Sequence, residues 1–494
     1  MWLLLSLFVS LGLITYFIIQ KNVSHITKTP IWLLWLVLMT PSFVWMSWFL
    51  IYGENKPLPI LLIFGPFLIC PGLYWWLVQK GRIVPPSEEN SSILGENTNG
   101  SDTSSTDAAK VRPINATEEK SLRDCFPFGV YYLQQLDYRP QAILCRGKLQ
   151  TAPETAYDRI KKNVEGVFGD RFLVLFQESL QGQPFFALIP NPNTEVAEEK
   201  NQEVLTRPWL AAFLLIVTIL TTTIVGAEMS GVTPEQLQDN WMVLFQGLPY
   251  SFGVIAILGV HELSHYFTAV HYRVRTTLPY FIPIPFFLGT FGAFIQMRSP
   301  IPHRKALFDV AIAGPLGGLG IALPLLFWGL SLSEVVPLSE KSTMLQFNAL
   351  DPRFSLLFAL ISKLAMGATF IKGTAIDLHP LAIAGYIGLI VTALNLMPVG
   401  QLDGGHIIHA MLGQRAAIAI GQIARIGMII LAFVERDYFL WAILLLLMPV
   451  SDQPALNDVT ELDNRRDFLG VFSMAILVMI LLPLPEILAK WLQI

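Results

Sequence analysis

The amino-acid sequence predicts a polytopic α-helical membrane protein: about ten transmembrane helices, one re-entrant β-hairpin and a small α+β domain on the cytosolic side. Three observations predict it. Hydrophobic residues make up 53% of the 494 and charged residues 14%, with a mean hydropathy of +0.53, a balance found in membrane proteins. The apolar residues fall in runs near twenty, and at ~1.5 Å per residue such a run crosses the ~30 Å hydrocarbon core. Between the third and fourth runs lies a polar stretch followed by a β-rich segment. The net charge of −4 and the lack of a basic stripe exclude a nucleic-acid partner. Cys70, Cys125 and Cys145 are odd in number and share no C-x-x-C spacing, so neither a disulfide framework nor a thiolate zinc site is expected. Cys125 and Cys145 can pair, or simply be buried as small apolar residues.

Taken in order, residues 1–84 form a three-helix membrane region with spans at Trp2–Gln20, Ile31–Tyr52 and Ile60–Val78. The first has no basic residues ahead of it, and Lys21 and Lys28 follow it. It therefore reads as a span rather than a signal peptide, with the N-terminus outside. Residues 85–116, rich in Ser, Asn, Asp, Glu and Gly, read as a flexible linker. The glycosylation patterns at Asn90 and Asn115 carry no weight on the cytosolic side.

Residues 117–207 form the small soluble α+β domain. Pro153–Val167 has helical periodicity around Tyr157, Ile160 and Val164, with a proline in its first turn. Two β-rich runs follow, Arg171–Glu178 and Gln183–Pro190. No catalytic constellation is visible here, and the segment reads equally as a spacer or as a recognition element.

Residues 208–450 form the membrane core. After Trp209–Ala227 comes Ser251–Tyr272, SFGVIAILGVHELSHYFTAVHY, which runs inward and carries His261, Glu262 and His265. Ionisable groups in a membrane helix are costly and imply a function. Residues four apart share a helical face, so His261 and His265 can bind one metal ion with Glu262 beside them. In zinc hydrolases such a glutamate takes the proton of the attacking water. An H-[DE]-x-x-H pattern is expected by chance about 0.01 times in a chain of this His and acid content.

Thr276–Arg298 contains Pro279, Pro283 and Pro285, which exclude a continuous helix, yet it is too apolar for an exposed loop. Irregular backbone at membrane depth must face protein or a wet cavity, so it reads as a re-entrant hairpin near the metal; a spanning helix broken by its prolines is the other reading. Ala306–Leu330 crosses outward with Gly314-Pro315 in its middle. Ser331–Arg353 lies outside, and Phe354–Met366, at ~13 residues, is too short to cross. Leu381–Met397 runs inward. Ala416–Val434 and the short Tyr438–Val450 complete the core. Residues 451–494 comprise a loop with Arg465 and Arg466 and a last span, Leu469–Leu488, which leaves both termini outside and most Lys/Arg clusters on one side.

The inward helix ends in NLMPVGQLDGGH. Pro398, Gly400, Gly404 and Gly405 unwind its end, so Asp403 can be aimed at a neighbouring helix as third ligand, leaving a fourth position open. Asn395, about two turns earlier, can donate to the oxyanion of a tetrahedral intermediate. Taken alone, LDGG reads better as a helix-ending turn at the interface; coupled with HELSH in a membrane helix of matching direction, it reads as part of the site. His406 and His409 lie close enough in sequence to support the ligands. His25, His271, His303 and His379 read as loop or interfacial residues.

HELSH in one span and NLMPVGQLDGGH in a later one resemble the site-2 protease family of intramembrane zinc metalloproteases. The resemblance covers roughly Trp209 to Val450, and the N-terminal part is similar, more loosely, to the chloroplast and cyanobacterial branch. It implies a Zn2+ cofactor held by His261, His265 and Asp403, with Glu262 as base. The Gly314-Pro315 helix and the hairpin, which in the family is thought to pair with unwound substrate, also look like it. The ~50 residues after Leu330 leave no room for a PDZ domain of ~100. The expected function is hydrolysis of a peptide bond within or near a transmembrane helix of a single-span substrate in the lipid bilayer, in a bacterial, cyanobacterial-type plasma or thylakoid membrane. The alternative is a metal transporter or channel, which would carry polar residues at several depths; here they cluster toward one face.

Overall fold

The computed structural model describes residues 31–52 and scattered positions from 12 to 81, then 114–139, 142–179, 182–191, 207–285, 288–338, 344, 346–434 and 436–492. The 85–116 linker (but for its last residues) and most of the spans Trp2–Gln20 and Ile60–Val78 lie outside the described residues. The chain divides into Met1–Thr106 and Asp107–Ile494. The first unit contains α1 (Ile31–Tyr52), matching the expected span, with Pro41 inside it. Trp35 Nε1 donates to the Gly12 carbonyl at 2.7 Å.

The second unit opens with an α+β layer. Helix α2 (Ala116–Asp124) starts at an Asn115–Glu118 capping box. Strands β1 (Tyr131–Arg139) and β2 (Ala142–Leu149), helix α3 (Pro153–Phe168), and strands β3 (Phe172–Glu178) and β4 (Pro184–Pro190) follow. They build an antiparallel sheet in the order β1-β2-β4-β3. Helix α3 buries Ala156, Tyr157, Ile160 and Val164, one face at the helical period, and Phe176 stacks on Phe186 with ring centroids 4.1 Å apart. Strands β1 and β2 escaped the sequence reading because YYLQQLDYR interleaves polar residues without strict alternation. Cys125 and Cys145 are buried free thiols.

The membrane core follows: α4 (Pro208–Met229), α5 (Leu248–His271), β5 (Tyr280–Pro283), β6 (Thr290–Phe294), α6 (Arg304–Ser331), β7 (Glu334–Pro337), α7 (Leu356–Met366), β8 (Thr374–Asp377), α8 (Pro380–Leu396), α9 (Asp403–Val434), α10 (Phe439–Leu447), α11 (Asn464–Leu481) and α12 (Glu486–Leu492). Among the described residues five helices are long and apolar enough to cross a membrane, or six if the α11–α12 pair is one bent span. Helices α5, α6 and α8 pack on one another. Small residues permit this closeness, as they do between membrane helices generally. A β-carbon at Gly388 would stand 2.8 Å from Ala322 Cβ and 2.9 Å from Ile257 Cδ1.

Between α5 and α6 the three-proline segment forms an antiparallel hairpin of β5 and β6, extended toward its base by the Thr276–Met297 bridge. The far end is tied down: Thr221 Oγ1 donates to Gly289 O at 2.7 Å, and Tyr250 Oη to Leu288 O at 2.9 Å.

Four elements differ from expectation. The helix expected at Ala416–Val434 begins at Asp403 and breaks at Gly413, whose φ of 82° only glycine adopts readily. The expected span Tyr438–Val450 has a nine-residue helix, α10, and then runs non-helical; Arg425 donates to the freed carbonyls of Met448 and Pro449 at 2.9 and 2.8 Å. The last span bends by 79° between α11 and α12, where Pro483 and Pro485 end the helix. The segment between α6 and α8 contains the β7–β8 pair as well as α7, strands of four residues that are too short to read as a period.

A loop joins the layers. Phe176 N donates to Leu456 O at 2.7 Å and Asp458 N to Phe176 O at 2.8 Å, while Leu456 N and Asn457 N donate to Ile301 O and Pro302 O at 2.9 and 3.0 Å. Residues 456–458 thus lie between strand β3 and the segment leading from the hairpin into α6.

Candidate metal centre

His261 and His265 lie one turn apart on α5, and the ring of each is buried. Their Nε2 atoms are 3.1 Å apart. The carboxylate of Asp403 brings Oδ2 to 3.5 Å from His261 Nε2 and 3.4 Å from His265 Nε2. Tetrahedral zinc with bonds near ~2.0–2.1 Å requires ligand atoms ~3.3–3.4 Å apart. The three separations bracket that value, and two imidazoles with one carboxylate are a donor set that zinc takes. The group therefore fits a zinc ion with a coordination position to spare.

The surroundings explain why these residues converge. His265 Nδ1 lies 2.7 Å from Val310 O on α6, a contact that fixes the Nδ1–H tautomer and turns Nε2 toward the centre. A β-carbon at Gly314 would overlap the His265 ring, and one at Gly318 would come 3.2 Å from His261 Nδ1. The glycines of α6 thus provide the space that the imidazoles fill. On the other side α8 ends at Leu396, and the chain turns through Gly400 (φ 55°) before α9 begins at Asp403. The carboxylate is therefore presented from the first turn of a new helix, not from the unwound end of the preceding one, which corrects the sequence expectation. The reason is local: Pro398 and Gly400 end α8 early enough for D-G-G to start α9.

Glu262 is 8% exposed and lines the same cavity as Ile295, just past β6. Asn395 Nδ2 lies 3.2 Å from His261 Nε2, so this side chain stands beside the ligand atoms. A cavity of about 270 Å3 opens on all five residues, with Gln401 and His406 on its wall. Gln401 fills an unspecified position of the N-x-x-P-x-x-x-x-D-G pattern and the Val310 carbonyl belongs to no motif, so neither gave a sequence signal.

His406 and His409 separate. His406 lines the cavity with Nδ1 at 2.8 Å from Asp452. His409 faces away, fully buried, its Nδ1 2.7 Å from Asp452 and its Nε2 3.1 Å from Asp458. Burial pushes the Asp452 carboxyl up, but its hydrogen bonds to both histidines prevail and hold it down at about 2. His303 and His379 cap helices: Ala306 N and Leu381 N donate to their Nδ1 atoms at 3.0 and 3.2 Å. His271 is exposed.

Residues 249–434 match the family described as Peptidase family M50. The chain is 28% identical over 376 residues to the probable zinc metalloprotease EGY1, chloroplastic, of Arabidopsis thaliana, covering 71% of this chain and 67% of that protein. It is also 28% identical over 388 residues to the probable zinc metalloprotease EGY2, chloroplastic, of Oryza sativa subsp. indica, covering 76% and 67%. Over 259 residues it is 33% identical to the EGY1 protein of Oryza sativa subsp. japonica, covering 52% and 44%. No solved structure matches. The matched region, residues 249–434, holds the HELSH helix, the hairpin and the Asp403 turn together, and over it the chain is similar to peptidase family M50.

Proposed function

We propose that this protein is an intramembrane zinc endopeptidase that hydrolyses a peptide bond within or near a transmembrane helix of a single-span membrane protein. The observation that carries the proposal is the convergence of His261, His265 and Asp403, with their ligand atoms all within 4.8 Å of one another, on helices long and apolar enough to cross a membrane. The relatives' names are those of zinc metalloproteases, and the family and donor set make Zn2+ the cofactor of this one.

His261, His265 and Asp403 hold the metal. When bound, zinc supplies Lewis-acid polarisation of the scissile carbonyl and makes water a nucleophile near neutral pH. Glu262 accepts the proton of the attacking water and delivers it to the leaving amine. Asn395 donates to the developing oxyanion. The hairpin offers the β6 edge to an unwound substrate segment, since a peptide bond inside a helix is hidden behind its own hydrogen bonds.

The proposed topology keeps ten crossings, the ninth being α10 and the Arg425-capped extended stretch after it, with the metal centre ~10 Å or more inside the cytosolic boundary of the core. The soluble layer, residues 117–207, lies on that cytosolic side. A bacterial plasma or thylakoid membrane is the proposed location. A transporter is disfavoured because the acidic and His groups of the core helices cluster toward one face instead of lining a path at several depths.

The test is incubation of the purified protein with single-span substrates, with and without a zinc chelator. Cleavage that the chelator abolishes and added zinc restores is expected. Metal flux in proteoliposomes without cleavage of any substrate would replace this reading with transport.

A further inference from the structure

Two cavities meet at β6. The first is the polar one described above. The second, about 170 Å3, shares His261, Glu262, Ala293 and Asn395 with it and then extends away from them. Beyond that shared wall, its lining includes Val254, Ile257 and Leu258 of α5 and Ile387, Val391 and Leu394 of α8. Thr290 also reaches it, but its hydroxyl is engaged, donating to Ile282 O at 2.9 Å and accepting from Gly292 N at 3.0 Å. Ala384 and Gly388 on α8 also line the cavity and leave it open. Away from the catalytic side chains, then, the space is apolar and offers water few partners.

We infer that this second cavity is the specificity subsite of the protease: it takes one large apolar side chain, Leu, Met or Phe, from a residue forming the cleaved bond. The inference rests on the protease reading and names what that site selects. Size sets the class of occupant. An apolar cavity of ~150 Å3 accepts a benzene-sized guest, so about 170 Å3 has room for Leu, Met or Phe. Chemistry excludes charge, because a carboxylate or ammonium group placed among these six aliphatic side chains would have no partner. Adjacency identifies the position. The mouth is formed by Glu262, Asn395 and His261, the groups that face the reacting carbonyl. Successive Cα atoms lie only ~3.8 Å apart and successive side chains of an extended chain point to opposite sides, so the occupant flanks the scissile bond directly and its neighbour points away.

The test uses the zinc-loaded, full-length protein and a single-span substrate whose cleavage site has been mapped by mass spectrometry. Each residue flanking the cut is changed to Ala, Val, Leu, Met, Phe, Trp and Asp, and kcat/KM is measured. At one position Leu, Met and Phe should exceed Ala by at least ~10-fold, the lower end of what an apolar pocket discriminates, with Asp poor; the other position should be nearly flat. Val391→Phe, which fills the cavity, should reduce the Leu-over-Ala ratio about tenfold or more. A second readout needs no hydrolysis. The double variant Glu262→Gln/Val391→Cys should form a disulfide with a substrate cysteine at the selective position, and not with one three residues away. A flat profile at both positions, with the parent substrate still cleaved, overturns the subsite and leaves the protease reading intact. If no substrate is cleaved, the protease reading fails, and a disulfide that ignores cysteine position then overturns the subsite as well.

Discussion

In the proposed mechanism His261 and Glu262 are neighbours with opposite tasks. One turns Nε2 toward His265 and Asp403; the other lines both cavities from a position ~100° around the helix. Their substitutions should therefore separate metal binding from chemistry. Glu262→Gln keeps the shape and removes the basicity. It should fold, retain zinc and lose hydrolysis by at least the ~10²-fold that general acid–base catalysis contributes. His261→Ala should lose zinc and activity together. Zinc content by atomic absorption and cleavage of a single-span substrate check both; normal cleavage by Glu262→Gln would remove that residue from the role of base.

At the scale of elements, α5 and α6 create the centre by their closeness. The rings of His265 and His261 occupy space that Gly314 and Gly318 leave free. Gly314→Ala places a methyl group where the His265 ring lies, so it should reduce zinc occupancy. Gly320→Ala, two turns along α6 at a position with nothing within 4 Å, should leave occupancy unchanged and serve as the control. Equal occupancy in the two variants would show that the imidazole does not need this groove. The hairpin depends on its neighbours in the same way: hydroxyls from α4 and α5 hold its far end through Gly289 and Leu288.

For the molecule as a whole, the 452–459 loop is the joint. It pairs with β3 of the α+β layer, follows the segment into α6, and grips α9 through Asp452, Asp458 and His409. Removing one partner of a buried pair leaves an uncompensated polar group, costing ~3–5 kcal/mol. Asp452→Ala should accordingly lower the thermal midpoint in detergent well beyond the exposed Asp124→Ala. The pH dependence has a definite sign. The Asp452 carboxyl is held down at about 2, below the ~3.9 of an unfolded aspartate. Its contribution is complete above ~3.9 and is lost as pH falls toward 2. Unfolding midpoints of the parent measured from pH 5 to pH 2 should fall more steeply than those of Asp452→Ala, and parallel curves would show that the clamp carries no stability.

The sequence by itself determined the membrane class, the placement of most apolar helices and the residues of the centre, because composition, apolar run length and i,i+4 spacing are local properties. HELSH and LDG were legible for that reason, as was the proline-broken segment between them. Tertiary structure decided what depends on distant partners. It made Asp403 the start of α9, it turned His409 away from the cavity toward Asp452 and Asp458, and it brought the Val310 carbonyl to His265. It also assembled β1, β2 and the β7–β8 pair, whose strands are too polar or too short to declare a period. The physical reason is the same throughout: a helix is specified by its own hydrogen bonds and apolar face, whereas a site or a sheet edge exists only when separate segments satisfy each other's polar groups.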